Sequence, residues 1–457
     1  MSEPILHPAS YRDPDGFIFF KDGILFRQVN QSYAANYQLL IGSGLYDVLV
    51  QRNLMVRHKV IEENYTGSTD WFLTLKPEVV PFISFPYEWS FDMLKDAALL
   101  TLELNKTAIN HGMILKDATG FNVQFQGGSP VFIDTLSFEA YDEHLPWKAY
   151  RQFCESFLFP LYIAHFQHLD INCILSAQTE GIPVHATAKL LPFKTRFSLG
   201  VWMHVYLQNW VGSRSVNETT KSQFSKKKLL QLTENLADII SGLKYENKKP
   251  GWGSYYESTI LSNAYLHEKE IALSEVLTKC SGGTVLDAGA NDGYFSMMLA
   301  KQFELVIAAD FDSLCVNNMY RRVKDQRINN IIPLRIDMVN PSPAIGFANK
   351  ERACFTERIK VDVLVALALI HHLVLGKNVP LIMVAGYFSQ LAPQLVIEFI
   401  PESDEKVQQL LKHKSNLNNR YNQHDFEIAF GSYFSIEGKY QLTDSKRIIY
   451  MMKRIVQ

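Results

Sequence analysis

Apolar and polar positions change rhythm about halfway along the chain. In residues 1–85 the apolar runs are short and broken by turn residues. GFIFFKDGILFRQV (16–29) predicts a β-hairpin with Asp22-Gly23 at its turn. SFDMLKDAALLTLELNKTAINHG then takes up a helical period, with Ser90 as N-cap and Gly112 as its stop. NVQF and PVFID, separated by QGGS, predict a second hairpin. From about residue 145 to 245 the pattern is helical, and KKKLLQLTENLADIISGLKYEN sets Leu229, Leu232, Leu236, Ile239, Ile240 and Leu243 on one face. NKKPGWGS (247–254) has the composition of a linker. Beyond it, apolar strands alternate with helices: TVLDAG, GYFSMMLAKQ, ELVIAADF, SLCVNNMYRRVK, IIPLRIDM, VDVLVALALIHH and PQLVIEFI, then a final pair near 433–441 and 447–453. That alternation predicts a parallel sheet covered on both faces. The expected fold is therefore an α+β domain over 1–246, a linker over 247–254 and a doubly wound, Rossmann-like α/β domain over 255–457.

A chain of 457 residues accommodates two such cores. Hydrophobic residues at 47% and charged residues at 20% exclude a disordered chain, and a net charge of −2 gives no general attraction to nucleic acid. Cys154, Cys173, Cys280, Cys315 and Cys354 show no CxxC and no pairing rhythm, which argues against structural zinc and suits a reducing, cytoplasmic setting. MSEPILHPAS lacks the features of a signal peptide, and no apolar run has the length of a membrane helix, so no membrane partner is expected.

The candidate chemistry sits where the first parallel strand ends. TVLDAGANDGYFSMML (284–299) runs Val285 and Leu286 into Asp287, turns through Gly289 and Gly293, and resumes a helical pattern. Glycines there let backbone approach a ligand closely. In open α/β sheets ligands sit beyond the carboxyl ends of the strands. Asp310, ending the second strand 17 residues after Gly293, is suited to accept both hydroxyls of a ribose. A dinucleotide site requires G-x-G-x-x-G, whereas here the sequence reads D-x-G-x-N-x-G. A carboxylate at the strand tip disfavours a pyrophosphate and favours a cation, so the pattern points to the sulfonium of S-adenosylmethionine in preference to NAD.

On these residues the second half resembles the class I S-adenosylmethionine-dependent methyltransferases, with DAGANDG standing for the family's glycine-rich loop and Asn291 in place of its middle glycine. The resemblance implies that Asp287, Gly289 and Gly293 shape the methionine pocket and that Asp310 binds ribose. Asp337, in PLRIDMVNP, falls where relatives place a carboxylate near the adenine amine. Ala290, Asn291, Asp292, Tyr294, Phe295, Phe311 and Met338 flank these positions as further pocket candidates. Trp252, Tyr255 and Tyr256 lie on a segment that often folds over the cofactor.

Methyl transfer is an in-line displacement that positioning alone accelerates, and a base is required only where the acceptor must lose a proton. His371 and His372, just past the fourth strand, are the candidate bases, followed by Glu398 at the end of PQLVIEF. Two adjacent histidines without a facial triad are not a metal signature.

The first half poses a separate question. In LKDATGFNVQFQGGSPVFIDTLSFE (115–139), Asp117 and Asn122 are five apart and Asp134 follows twelve later. The arrangement resembles protein-kinase-like and aminoglycoside-phosphotransferase-like domains. That likeness implies Asp117 as base, Asn122 and Asp134 as Mg²⁺ ligands, ATP as cofactor and Lys59 as a phosphate-binding lysine. Lys116 beside Asp117, DTL in place of Asp-Phe-Gly, and the lack of a glycine-rich phosphate loop depart from it. The order of the two halves resembles a group of bacterial two-part proteins regarded as methyltransferases. The expectation is methyl transfer to an oxygen or nitrogen of a small metabolite or glycan. Its rivals are an ATP-dependent phosphotransferase at Asp117, Asn122 and Asp134, and a non-catalytic S-adenosylmethionine sensor. Acceptor and oligomeric state stay open.

Overall fold

A computed structural model describes residues 3–212, 225–245, 263–411, 421–443 and 445–455. The linker candidate 247–254, with Trp252, and the lid candidates Tyr255 and Tyr256 lie outside the described residues. The chain divides into two units, Met1–Lys248 with Ala344–Ala353, and Lys249–Pro343 with Cys354–Gln457.

The first unit is α+β. Strands β1 (Ile5–Leu6), β2 (Gly16–Lys21), β3 (Ile24–Asn30), β4 (His58–Ile61) and β5 (Trp71–Pro77) form an antiparallel sheet in the order β1-β2-β3-β5-β4. The predicted hairpin pairs Lys21 with Ile24 across Asp22 and Gly23, both left-handed at φ 52° and 75°, as a tight two-residue turn requires. Ser90 caps the helix Phe91–Asn110 by accepting from the Met93 amide at 3.4 Å, and Gly112 follows its end at φ 77°. The helix Lys226–Gly242 buries Leu229, Leu236 and Ile240, and Asn105 donates to its Thr233 at 3.4 Å. Short strands β6 (Met113–Leu115), β7 (Val123–Gln126), β8 (Ser129–Phe132) and β9 (Phe138–Ala140) pair as β6–β9 and β7–β8, the latter being the second predicted hairpin.

Sequence reading left the segment 344–353 inside the second domain, but it clusters with the first unit. Glu351 accepts from the Arg12 guanidinium and the Tyr11 hydroxyl, both at 3.1 Å, and the Arg352 guanidinium lies 3.6 Å over the Phe121 ring. Such long-range contacts leave no periodic trace in a sequence.

The second unit holds one seven-stranded sheet. Strands β10 (Thr284–Ala288), β11 (Leu305–Asp310), β12 (Ile331–Arg335), β13 (Val363–Ala366) and β14 (Gln394–Phe399) run parallel, while β16 (Ile448–Arg454) is antiparallel to both β14 and β15 (Phe434–Gln441). The order is β12-β11-β10-β13-β14-β16-β15. From β10 the chain winds first to β11 and β12, then crosses to β13 on the other side. That reversal opens a crevice at the carboxyl ends of β10 and β13. The five parallel strands are buried along nearly their whole length, as strands covered on both faces are, and mostly apolar: Val285, Leu286, Val306, Ile307, Val363, Leu364 and Val396 are fully buried. The helix Tyr294–Leu299 stops short of the predicted Gln302, whose side chain reaches the Leu277 carbonyl at 2.8 Å while Phe303 turns into the core. Among the described residues no helix is long and apolar enough to cross a membrane.

Candidate active site

A cavity of about 340 Å³ opens at the topological switch, wholly within the second unit. Its walls include Asp287, Gly289, Ala290, Asn291, Phe295, Asp310, Phe311, Asp337 and Met338, all singled out in the sequence, and His372. The loop geometry explains why these residue types stand here. Gly289 has φ 78°, and its amide and that of Ala290 donate to the Ala309 carbonyl at 2.8 and 3.0 Å, tying the turn to β11. Asn291 is also left-handed, at φ 53°, a conformation that asparagine tolerates better than most residues. Gly293, at φ 82°, leads into the helix, and a Cβ there would stand 2.5 Å from Met319 Cγ. Only glycine fits without displacing that packed side chain.

Both strand-tip acids use neutral donors. Asp287 accepts from the Ser296 hydroxyl at 2.6 Å. Asp310 accepts from the amides of Asn291 at 2.8 Å and Asp312 at 2.9 Å, one on each oxygen. Burial raises each carboxyl to about 6, against the pull of these hydrogen bonds. Asp337 caps its own loop, accepting from the Val339 amide at 2.9 Å.

The other candidates are placed differently. Tyr294 turns outward and donates to Glu270 at 2.7 Å, so it does not line the cavity. Asp292 pairs with Arg322 at 3.2 Å. The adjacent histidines separate: His372 lines the cavity, while His371 is fully buried and is not part of its wall. Burial lowers His372 to about 4, so its imidazole is uncharged at pH 7 and a weaker base than an ordinary histidine. Glu398 is not a free base. It is fully buried and accepts from Lys269 at 2.6 Å, Tyr265 at 2.9 Å and the Ala368 amide at 2.8 Å, with Arg447 at 3.7 Å. Burial alone would raise its carboxyl, but Lys269 and Arg447 hold it below the usual range.

Tyr265, Lys269 and Arg447 themselves line the cavity, and sequence reading missed all three. Tyr265 and Lys269 are four apart on the helix Asn263–Leu277 and so share a face, a spacing visible in the sequence but with no partner to give it meaning. Arg447 arrives from a turn some 180 residues away, held by Asp404 at 2.8 Å and donating to Tyr265 at 2.7 Å.

In the first unit Asp117, Asn122 and Asp134 do converge, through Ser137. Asn122 donates to Ser137 at 3.1 Å, Ser137 donates to Asp134, and Asp117 bonds the side chains of Asn122 and Gln152. The other oxygen of Asp134 pairs with Arg27 on β3. The cation that meets Asp134 is thus Arg27 and not Lys59, which is exposed on the edge strand β4. Both Asp134 oxygens are occupied, which leaves the expected Mg²⁺ ligand engaged by protein groups. Among the described residues no group of three or more His, Cys, Asp or Glu side chains is arranged to hold a metal ion.

No family model matches the chain. The N-methyltransferase NodS of Bradyrhizobium japonicum WM9, solved with S-adenosyl-l-homocysteine, aligns over 45% of this chain and 97% of its own, at 10% identity and TM-score 0.34. The magnesium protoporphyrin IX methyltransferase of Synechocystis PCC 6803, with bound SAM, aligns over 57% and 94%, at 14% identity and TM-score 0.29. Likenesses that distant carry no functional weight. Sequence similarity is far more extensive with nodulation protein NoeA of Rhizobium meliloti (strain 1021), which is 32% identical over 460 residues, 98% of this chain and 95% of that protein. Identity of that extent, end to end, means that the chain belongs to the family of nodulation protein NoeA.

Proposed function

We propose that the second unit is an S-adenosylmethionine-dependent methyltransferase acting on an oxygen or nitrogen of a small metabolite or glycan. One observation carries this reading: Asp287 and Asp310, tipping adjacent parallel strands, border the same cavity on either side of the Gly289–Gly293 turn. Their neutral partners leave both acids able to meet a cation and a diol. Asp310, fixed by backbone amides at the cavity wall, is placed to accept the two ribose hydroxyls. Asp287 offers negative charge to the cationic amino-acid end, and Lys269 and Arg447 offer positive charge to its carboxylate. Phe311, Ile336 and Met338 supply apolar walls for the adenine, with Asp337 at its amine. When bound, the donor supplies an electrophilic methyl group on a sulfonium.

The chain's own residues then hold the reactants in line and exclude water. His372, uncharged and on the cavity wall, is placed to accept a hydrogen bond from the acceptor; with its basicity lowered by burial, it takes the proton only as the new bond to methyl makes that proton acidic. His371 and Glu398 are positioned to support the wall behind it. The intact side-chain packing of Glu398 fixes the Ala368 amide at the end of β13, and with it the loop leading to His372.

Calorimetric titration with S-adenosylmethionine, followed by transfer of labelled methyl to an extract of small metabolites and glycans, tests the proposal. Binding and turnover are expected in the parent and loss of both in Asp310→Ala. A chain that binds the donor and turns over nothing is a sensor instead, and one that ignores the donor at millimolar concentration refutes the reading altogether.

A further inference from the structure

We propose that residues 189–210 of the first unit form a docking surface for an anionic lipid bilayer. The segment comprises the end of the helix Val184–Leu190, a 3₁₀ turn Phe193–Phe197, the helical turn Leu199–Val201, a π-helical stretch Trp202–Leu207 and the start of the helix Gln208–Gly212. Its inward side is fixed. Val201, His204 and Val205 are buried, His204 sits between the Tyr150 hydroxyl at 2.6 Å and Asn235 at 3.1 Å, and Thr195 joins the Tyr206 hydroxyl at 2.8 Å.

The outward side is what a folded surface normally avoids. Phe193, Phe197 and Leu199 are 68%, 83% and 74% exposed, and Trp202 and Trp210 are about half exposed. Exposed apolar side chains concentrated in this way mark a binding surface. Its charge narrows the partner. Lys189, Lys194 and Arg196 are exposed among these side chains, and the Arg196 guanidinium lies 5.1 Å from the Phe193 ring. From Gly181 to Gly212 there is not one Asp or Glu, so the stretch carries a formal +3 inside a chain of net −2.

Tryptophan and phenylalanine amid lysine and arginine match the level of lipid headgroups, where rings enter the acyl boundary and the cations meet phosphates. A second copy of the chain fits less well. A two-fold interface would set this basic stretch against itself, with no acid within it to pair. The surface is peripheral, with no spanning element involved.

Sedimentation of the full-length protein with phosphatidylcholine vesicles, with and without phosphatidylglycerol, tests this. Binding to the anionic vesicles is expected to be roughly tenfold or more tighter than to the neutral ones and to weaken with salt. Phe197→Ser with Leu199→Ser, and separately Lys194→Glu with Arg196→Glu, are each expected to weaken it by a similar factor without moving the melting temperature. Should either variant misfold, a blue shift of tryptophan emission on adding anionic vesicles, diminished in Trp202→Phe/Trp210→Phe, serves as the second readout. A parent protein that stays in the supernatant with every vesicle, or variants that bind as well as the parent, would overturn the proposal. So would a concentration-dependent dimer by light scattering that the same substitutions dissolve, which would assign the surface to self-association.

Discussion

Two clusters of acids, one in each unit, look alike in sequence and differ in what surrounds them. Asp134, in the first unit, has one oxygen against the Arg27 guanidinium and the other against Ser137. Asp287 and Asp310, in the second, take their hydrogen bonds from a hydroxyl and backbone amides, with the Lys269 charge acting on Asp287 from farther off, and border a cavity. An acid neutralised by a protein cation has little left for a ligand. An acid held by neutral dipoles at a cavity wall has no protein cation to neutralise it, and burial raises its carboxyl to about 6. Glu398 supplies the control within the second unit. It stands at a strand end like Asp310, yet Lys269 and Arg447 make it a structural acid like Asp134.

The comparison breaks most readily at Glu398. Glu398→Ala strands the buried Lys269 and leaves Arg447 with Asp404 alone, and chemical denaturation should show a loss of roughly 3–5 kcal/mol. If stability barely changes and only turnover falls, Glu398 belongs with the ligand-facing acids. Asp134→Ala leaves Arg27 unpaired at a slightly more exposed site. A loss near the lower end of that range, about 3 kcal/mol, is expected, with affinity for the methyl donor unaltered in calorimetry. Asp310→Ala should do the reverse, weakening donor binding by roughly 200-fold or more, the worth of two hydrogen bonds to a charged group.

A pH titration gives a smaller and more discriminating effect. Because Asp287 and Asp310 have folded values raised to about 6, above those of an unfolded chain, their contribution to stability is fully present below about pH 4 and is lost as pH rises through 6. The cationic end of the ligand needs the ionised form of Asp287. Donor affinity should therefore fall roughly tenfold from pH 7 to pH 5, and the thermal shift that the donor produces should shrink with it. Asp287→Asn should flatten this profile, whereas Asp134→Asn should leave it as it is. A pH-independent affinity in the parent would mean that Asp287 does not meet the cation.

Much of this was legible before folding. The Asp22-Gly23 hairpin, the Ser90 cap and the alternation of strand and helix after residue 283 each rest on local chemistry, on which residues tolerate a left-handed backbone, which side chains cap a helix, and which spacing buries one face. The glycine-rich loop was readable for the same reason, since Gly289 and Gly293 serve backbone conformations within a few residues of themselves. Asp287 and Asp310 were found because position along a strand fixes which end of the sheet an acid occupies.

Charge partners were not legible. Lys269 and Arg447 reach Glu398 from 129 and 49 positions away, and Arg27 reaches Asp134 across 107. Nothing local marks such pairs, so a sequence presents Asp134, Glu398 and Asp310 as equals. The separation of His371 from His372 was equally hidden, because neighbouring residues on one turn point different ways and only packing chooses which faces the cavity. Sequence by itself determined the strand order's raw material, the turn chemistry and the location of acids at strand tips. Tertiary structure alone decided which of those acids are neutralised and which are left facing open space, because the field at a carboxylate depends on what lies within a few ångströms in space and not on what lies beside it in the chain.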